Sequence, residues 1–243
     1  MVLADILASL FPNGHEVVLE RGLLSGHGRR PDGTPIAVIG VDGRTAVGVD
    51  EAAALARDVL DVAQRGDTMP ILVLIDSDSQ RMSKRDEMLG LSEFLAHLSK
   101  CLICADALGH TTVGLLYGHT AAGAFIATAL STRTLLALPG AEPAVMDLPS
   151  MARVTKLSIE VLQEKAKSTP VFAPGLDNLA QTGAVAAVLD PARSLAAQLD
   201  AVLVGLQSND GADGRDRLGK ERHGRPKAAD IAERVRALAC SAA

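Results

Sequence analysis

The sequence predicts an α/β fold in which strands and helices alternate around one core. Two observations carry that expectation. Short, continuous apolar runs recur along the chain, each followed by a stretch whose apolar residues fall at helical spacing. Hydrophobic residues make up 48% of the chain, yet there is no Trp, one Tyr and four Phe. Ala, Val, Leu and Ile must therefore build the core, a composition that suits helices lying close on a sheet. At 243 residues the chain fits one such domain.

Residues 35–41 (PIAVIGV) read as the first strand. Residues 50–63 follow as a helix, with Ala54, Leu55, Val59, Leu60 and Val62 on its apolar side and Asp50 as the cap. The run 70–75 (PILVLI) is too short for a helix and continuously apolar, as expected of a parallel strand buried on both faces. A polar loop at 76–87 leads into one long amphipathic helix, 86–108. Strand 111–117, helix 121–130, strand 133–138, helix 154–166, strand 185–189 and helix 195–206 continue the alternation, which implies right-handed parallel crossovers. Residues 207–227 lose the apolar pattern and are rich in Gly and charge, so they read as a flexible charged linker. A last helix covers 228–238. The expected organisation is a domain at 1–206, a linker at 207–227 and a C-terminal helix within 228–243, with no internal repeat.

The net charge of -5 argues against a general nucleic-acid binder, which needs a basic face to displace counterions. No apolar run reaches the ~20 residues of a membrane span, and the N-terminal residues lack the basic flank of a secretion signal. Three cysteines, Cys101, Cys104 and Cys240, form no disulfide framework, and a cytoplasmic location is expected. The Cys101-x-x-Cys104 pair sits inside a helical pattern rather than at an exposed helix start, which favours a structural role over a redox one. The six histidines show no paired ligand spacing, so no metal site is expected.

The stretch 114–130 (GLLYGHTAAGAFIATAL) runs from a strand through a turn of small residues into an Ala-rich helix. A phosphate-binding loop would need Lys and Ser or Thr after Gly123, where Ala124 and Phe125 stand. A dinucleotide fingerprint would need Gly where Thr120 stands. A nucleophile elbow over Gly118, Thr120 and Ala122 is degenerate at two of three positions, and His110 or His119 as base with Asp106 or Asp147 as orienter rests on spacing alone. What remains is the backbone. Small residues after a parallel strand expose the first N–H groups of the next helix, donors suited to an anion or a developing oxyanion. Packing of helix on sheet is the competing reading of the same residues. In the preceding crossover, Lys84 and Arg85 read as solvated and Arg81 as the better contact for an anionic group, while His97 reads as a packing residue on the long helix.

Asp76, Glu87 and the helix residues 90–96 (GLSEFLA), followed by the turn 118–123, together resemble the carboxyltransferase branch of the crotonase superfamily. Within it the segments QRMSKRDEMLGLSEFLAHLSKCL, GHTAAGAFIATAL and VMDLPSMARVTKLS resemble the gamma subunit of biotin-independent malonate decarboxylase, over about residues 17–206. The chain departs from the wider branch where Asp78 and Ser79 replace Pro-Gly and where Ala122-Gly123 replaces Gly-Gly.

The resemblance implies a crotonase-like (ClpP/crotonase) ββα-superhelix of stacked strand–helix units. It implies an activity shared with a beta subunit, as a heterodimer or larger complex: decarboxylation of a malonyl thioester on an acyl-carrier protein subunit to the acetyl thioester and CO2. The thioester would hang on a phosphopantetheine-type, dephospho-CoA-derived arm, and this chain would bind no cofactor itself. The backbone of Gly118, Thr120, Ala121, Ala122 and Gly123 would supply the catalytic donors, and Gln80, Arg81 and His119 would meet the substrate. The basic stretch 215–227 is a candidate for the acidic carrier, though an exposed linker is the favoured reading. Two alternatives stand beside this one: a stand-alone crotonase-like thioester hydratase or isomerase, and a non-catalytic scaffold for the beta partner.

Overall fold

A computed structural model describes residues 1–170, 174–207 and 213–241. The chain divides into two units, one formed by Met1–Val145 with Val188–Gly211 and the other by Met146–Ala187 with Ala212–Ala243. In chain order the first holds α1 (Leu3–Leu10), β1 (Val18–Glu20), β2 (Leu23–Arg29), β3 (Pro35–Val47), α2 (Val49–Ala63), β4 (Ile71–Gln80), α3 (Lys84–Met88) and α4 (Leu91–Ala107). It continues with β5 (Thr112–Leu116), β6 (His119–Ala121), α5 (Ala122–Phe125) running on as a π-helical turn (Ile126–Leu130), β7 (Thr134–Ala137) and β8 (Glu142–Ala144). The second unit takes α6 (Leu148–Thr155), α7 (Ile159–Ala166) and α8 (Leu176–Gln181). The chain returns to the first unit through β9 (Ala187–Val188) for α9 (Leu195–Gln207), and α10 (Arg215–Glu221) and α11 (Ala228–Ser241) belong to the second.

The main sheet has the order β1-β2-β3-β4-β5-β7-β9. β1, β2 and β3 pair antiparallel, and β3, β4, β5 and β7 pair parallel. The register aligns Ile39 with Val73, Val73 with Gly114 and Gly114 with Leu135. Leu72, Leu74 and Ile75 are fully buried, as a strand covered on both faces requires. A separate two-stranded sheet joins β6 to β8 in parallel. The boundary between the units falls at Val145, inside the stretch read from sequence as one 1–206 domain.

The alternation of elements agrees with the sequence reading, and its departures have local causes. The predicted 76–87 loop begins as strand, because β4 continues to Gln80 and β3 runs on past a register shift to Val47. The predicted helix 86–108 is broken at Gly90, whose φ of 85° no helix interior adopts. Ser83 caps the resulting short α3 by accepting the Asp86 N–H at 3.1 Å. Asp50 does not cap α2: the cap position is Gly48, whose N–H donates to the Glu51 carboxylate at 2.9 Å.

The predicted helix 154–166 is split at Lys156 (φ 61°), with Ser158 capping α7. The predicted linker 207–227 contains α10, and the Arg222 guanidinium donates to the carbonyls of Ala180, Val185 and Ala186 at 2.6, 2.8 and 2.7 Å. The part of that linker at 208–212 lies outside the described residues. α1, β1 and β2 carry no signal used in the sequence reading.

Candidate active site

The carboxyl ends of β4 and β5 lie side by side, which is where ligands of parallel sheets bind. Three hydrogen bonds join them. Asp76 accepts the His119 N–H at 2.9 Å, the Ser77 and Thr120 hydroxyls meet at 2.8 Å, and the Gln80 side-chain carbonyl accepts the Gly123 N–H at 2.8 Å. All three link residues 43 apart, so the two strand ends run in step. Gly118 permits this close approach, since a Cβ there would lie 2.1 Å from the Asp76 Oδ1. Ala122, with φ at 50°, occupies the left-handed region where the chain turns from β6 into α5.

The predicted site residues 118–123 are therefore together, with Gln80 beside them, but three of their backbone N–H groups, those of Gly118, His119 and Gly123, already have partners. The Gly123 N–H points at a Gln80 oxygen, and that oxygen marks a position an anionic oxygen would occupy. Thr120 is fully buried, as is Ser77, so its hydroxyl holds the turn instead of reaching a ligand. Ala121 ends β6 and precedes the helix.

Arg81 is also committed within the chain: its guanidinium donates to Glu51 at 2.7 Å and to the Ala46 carbonyl at 3.3 Å. Arg85 pairs with Asp50 and with Asp86, which is buried and keeps its Oδ2 without a hydrogen-bond partner. The Arg85 pairing holds the Asp50 carboxyl below its ordinary range.

His119 lies across both strand ends. Its Nδ1 faces Glu142 at 3.6 Å and its Nε2 faces Asp78 at 3.9 Å. Glu142 is brought there by the β6–β8 register, which sets it opposite His119. Sequence reasoning missed Glu142, Ser77 and Glu51. Residues 76–80 are all polar, so no apolar alternation in the sequence marks Ser77 as buried.

Among the described residues no triad forms around Thr120. The His110 ring is buried against the Met69 carbonyl at 3.0 Å, and Asp106 holds Arg133 at 2.7 Å. Asp147 caps α6 through the Ser150 N–H. Cys101 is buried in α4, and burial pushes its thiol up from its ordinary value, which suits a structural residue. His97 is exposed rather than packed, within 3.6 Å of the Cys101 sulfur. Burial, with the bond to Asp42 at 2.6 Å, pushes the Tyr117 phenol up as well, so it stays protonated. Among the described residues no group of three or more His, Cys, Asp or Glu is arranged to hold a metal ion. No helix among them is long and apolar enough to cross a membrane.

A family model described as malonate decarboxylase gamma subunit matches residues 43–239. The chain belongs to that family. The matched stretch spans both strand ends of the site, so residues 76–80 and 118–123 are parts of a gamma-subunit fold. The chain is also similar to the malonyl-S-ACP:biotin-protein carboxyltransferase of Malonomonas rubra, at 30% identity over 167 residues. That alignment takes in 64% of this chain and 57% of the relative, so the chain spans little more than half the relative's length.

Among solved structures it resembles a chain of a Pseudomonas malonate decarboxylase hetero-tetramer in complex with coenzyme A. There the TM-score is 0.79 at 23% identity, over 96% of this chain and 98% of that one. A chain of the Pseudomonas MdcD-MdcE hetero-dimer gives a TM-score of 0.74 at 24% identity, over 98% of each. The transcarboxylase 12S core gives 0.68 at 15% identity, over 84% of this chain and 42% of that one. These likenesses establish the fold expected from the resemblance, that of the crotonase-like carboxyltransferases.

Proposed function

We propose that this chain is the gamma subunit of a malonate decarboxylase and works with a beta subunit to convert malonyl-S-acyl-carrier protein to the acetyl thioester and CO2. The observation that carries the proposal is the family match across residues 43–239, which includes both strand ends of the site. The malonyl-S-ACP named for the Malonomonas rubra relative and the coenzyme A named for the Pseudomonas tetramer support a thioester substrate on a phosphopantetheine-type arm. The hetero-tetramer and hetero-dimer named for the Pseudomonas proteins support a beta partner and a larger assembly. Three free cysteines are in keeping with a reducing cytoplasm.

Loss of CO2 breaks the bond between the α-carbon and the carboxylate and leaves its electron pair in an enolate, whose oxygen needs fixed donors. In this reading the partner's backbone holds the thioester oxygen, and the turn 118–123 faces the malonyl carboxylate. The chain's part is positioning: holding the carboxylate out of the enolate plane aligns the breaking bond with the carbonyl, an effect that can supply several kcal/mol. Gln80 is the residue best placed to meet that carboxylate, since its amide already lies over the Gly123 N–H. Thr120 and Arg81 act one step back, through Ser77 and Glu51, by fixing the strand ends.

Co-expression with the neighbouring genes, followed by assay of malonyl-CoA decarboxylation, tests the proposal. Turnover is expected from the purified complex and not from this chain alone. Turnover of an enoyl thioester by the chain alone would support the stand-alone hydratase or isomerase, and an inactive but intact complex would overturn the decarboxylase reading.

A further inference from the structure

Decarboxylation leaves an enolate that must be protonated on carbon before the acetyl thioester can leave, so the site needs an acid. Resting on the decarboxylase reading, we propose that His119 is that acid, with Glu142 orienting its ring and Asp78 returning its proton. Imidazole is the side chain suited to exchange protons near neutral pH. His119 stands at the start of the turn, where the β4 and β5 ends meet, and its side chain is 21% exposed. Its Nδ1 is buried without a hydrogen-bond partner, an arrangement that calls for an explanation.

Each ring nitrogen faces one carboxylate. Nδ1 faces Glu142 at 3.6 Å from β8, and Nε2 faces Asp78 at 3.9 Å from β4. Asp76, also on β4, accepts the His119 backbone N–H and so fixes the residue without touching the ring nitrogens. α5, the remaining element packed against β6, carries no titratable side chain. A carboxylate behind one nitrogen orients an imidazole and leaves the other to exchange the working proton. Asp78 and Glu142 are themselves open to water, at 55% and 71% exposure.

The step balances. The electron pair of the broken C–C bond, held in the enolate, forms a new C–H bond with the proton on Nε2. The imidazole is left neutral and regains its proton from water by way of Asp78. Nothing is oxidised or reduced, and no co-reactant beyond water is required.

The test is the assembled complex assayed with malonyl-CoA, with kcat followed between about pH 6 and 9. A second readout is deuterium exchange into the methyl group of acetyl-CoA in D2O, which requires removal and return of a proton at carbon, by neutral and then protonated imidazole, but no decarboxylation. The wild-type complex is expected to lose activity as pH rises and the imidazolium is depleted. H119Q is expected to lower kcat on the order of 10²-fold, to flatten that limb and to abolish exchange. E142Q, at an exposed position, is expected to leave assembly intact while shifting the limb, and it decides the matter if H119Q fails to assemble.

An active wild-type complex whose H119Q variant keeps its rate, pH profile and exchange would overturn the role of His119 and leave the decarboxylase reading standing. An unshifted profile in E142Q would overturn the orienting role of Glu142. An inactive wild-type complex would overturn the decarboxylase reading instead.

Discussion

The two strand ends that meet at the site contribute opposite chemistry. The end of β4 offers side-chain oxygens from Asp76, Ser77 and Gln80, whereas the turn after β5 offers two backbone N–H groups and one hydroxyl. The turn is poor in functional side chains because the neighbouring strand supplies them. The His119 and Gly123 N–H groups and the Thr120 hydroxyl are each tied to a partner 43 residues earlier, so the backbone of the turn is held before any ligand arrives. A backbone held in this way needs no reorganisation during reaction, which suits the positioning role proposed for the turn.

Breaking the fit between the two ends at Gly118 gives the largest expected effect. Gly118→Ala places a methyl group 2.1 Å from the Asp76 carboxylate, so it is expected to destabilise the chain by about 1–3 kcal/mol and to remove most turnover of the complex. Urea denaturation and a malonyl-CoA assay check both effects. Next comes Thr120→Val, which leaves the Ser77 hydroxyl buried without a partner, at a cost of about 1–3 kcal/mol. Adding Ser77→Ala is expected to recover much of that loss, and a double-mutant cycle by denaturation measures the coupling.

Smaller effects sharpen the contrast. Ala122→Gly relieves a left-handed alanine and is expected to stabilise by about 0.5 kcal/mol with activity kept, whereas proline at 122 is incompatible with a φ of 50°. Asp58, on α2 and away from both ends, provides the smallest change. Burial raises its carboxyl above the ordinary value, so the charged form destabilises the fold above that raised value and the penalty disappears as pH falls towards 3.8. Asp58→Asn is therefore expected to raise the melting temperature slightly at pH 7 and not at all near the ordinary carboxyl value.

The parallel core was legible because strands covered on both faces leave an unbroken apolar run, as in 70–75. β1 was not, since all three of its residues are exposed and no burial pattern marks it. The breaks at Gly90 and Lys156 escaped notice because the apolar pattern continues through a single left-handed residue. In the site, the turn was legible from its small residues and its place after a strand. Its partners were less so. Glu142 reaches His119 only through strand pairing across the helix between them, and Arg81 turns toward Glu51, contacts that spacing cannot reveal.

Gln80→Glu decides whether this turn faces the malonyl carboxylate. A glutamate can still accept the Gly123 N–H, so the fold and assembly are retained, but it sets a negative charge where the substrate's carboxylate is expected. In the assembled complex kcat/KM for malonyl-CoA is expected to fall on the order of 10²-fold with an unchanged melting temperature. A Gln80→Glu complex working at the wild-type rate would contradict it.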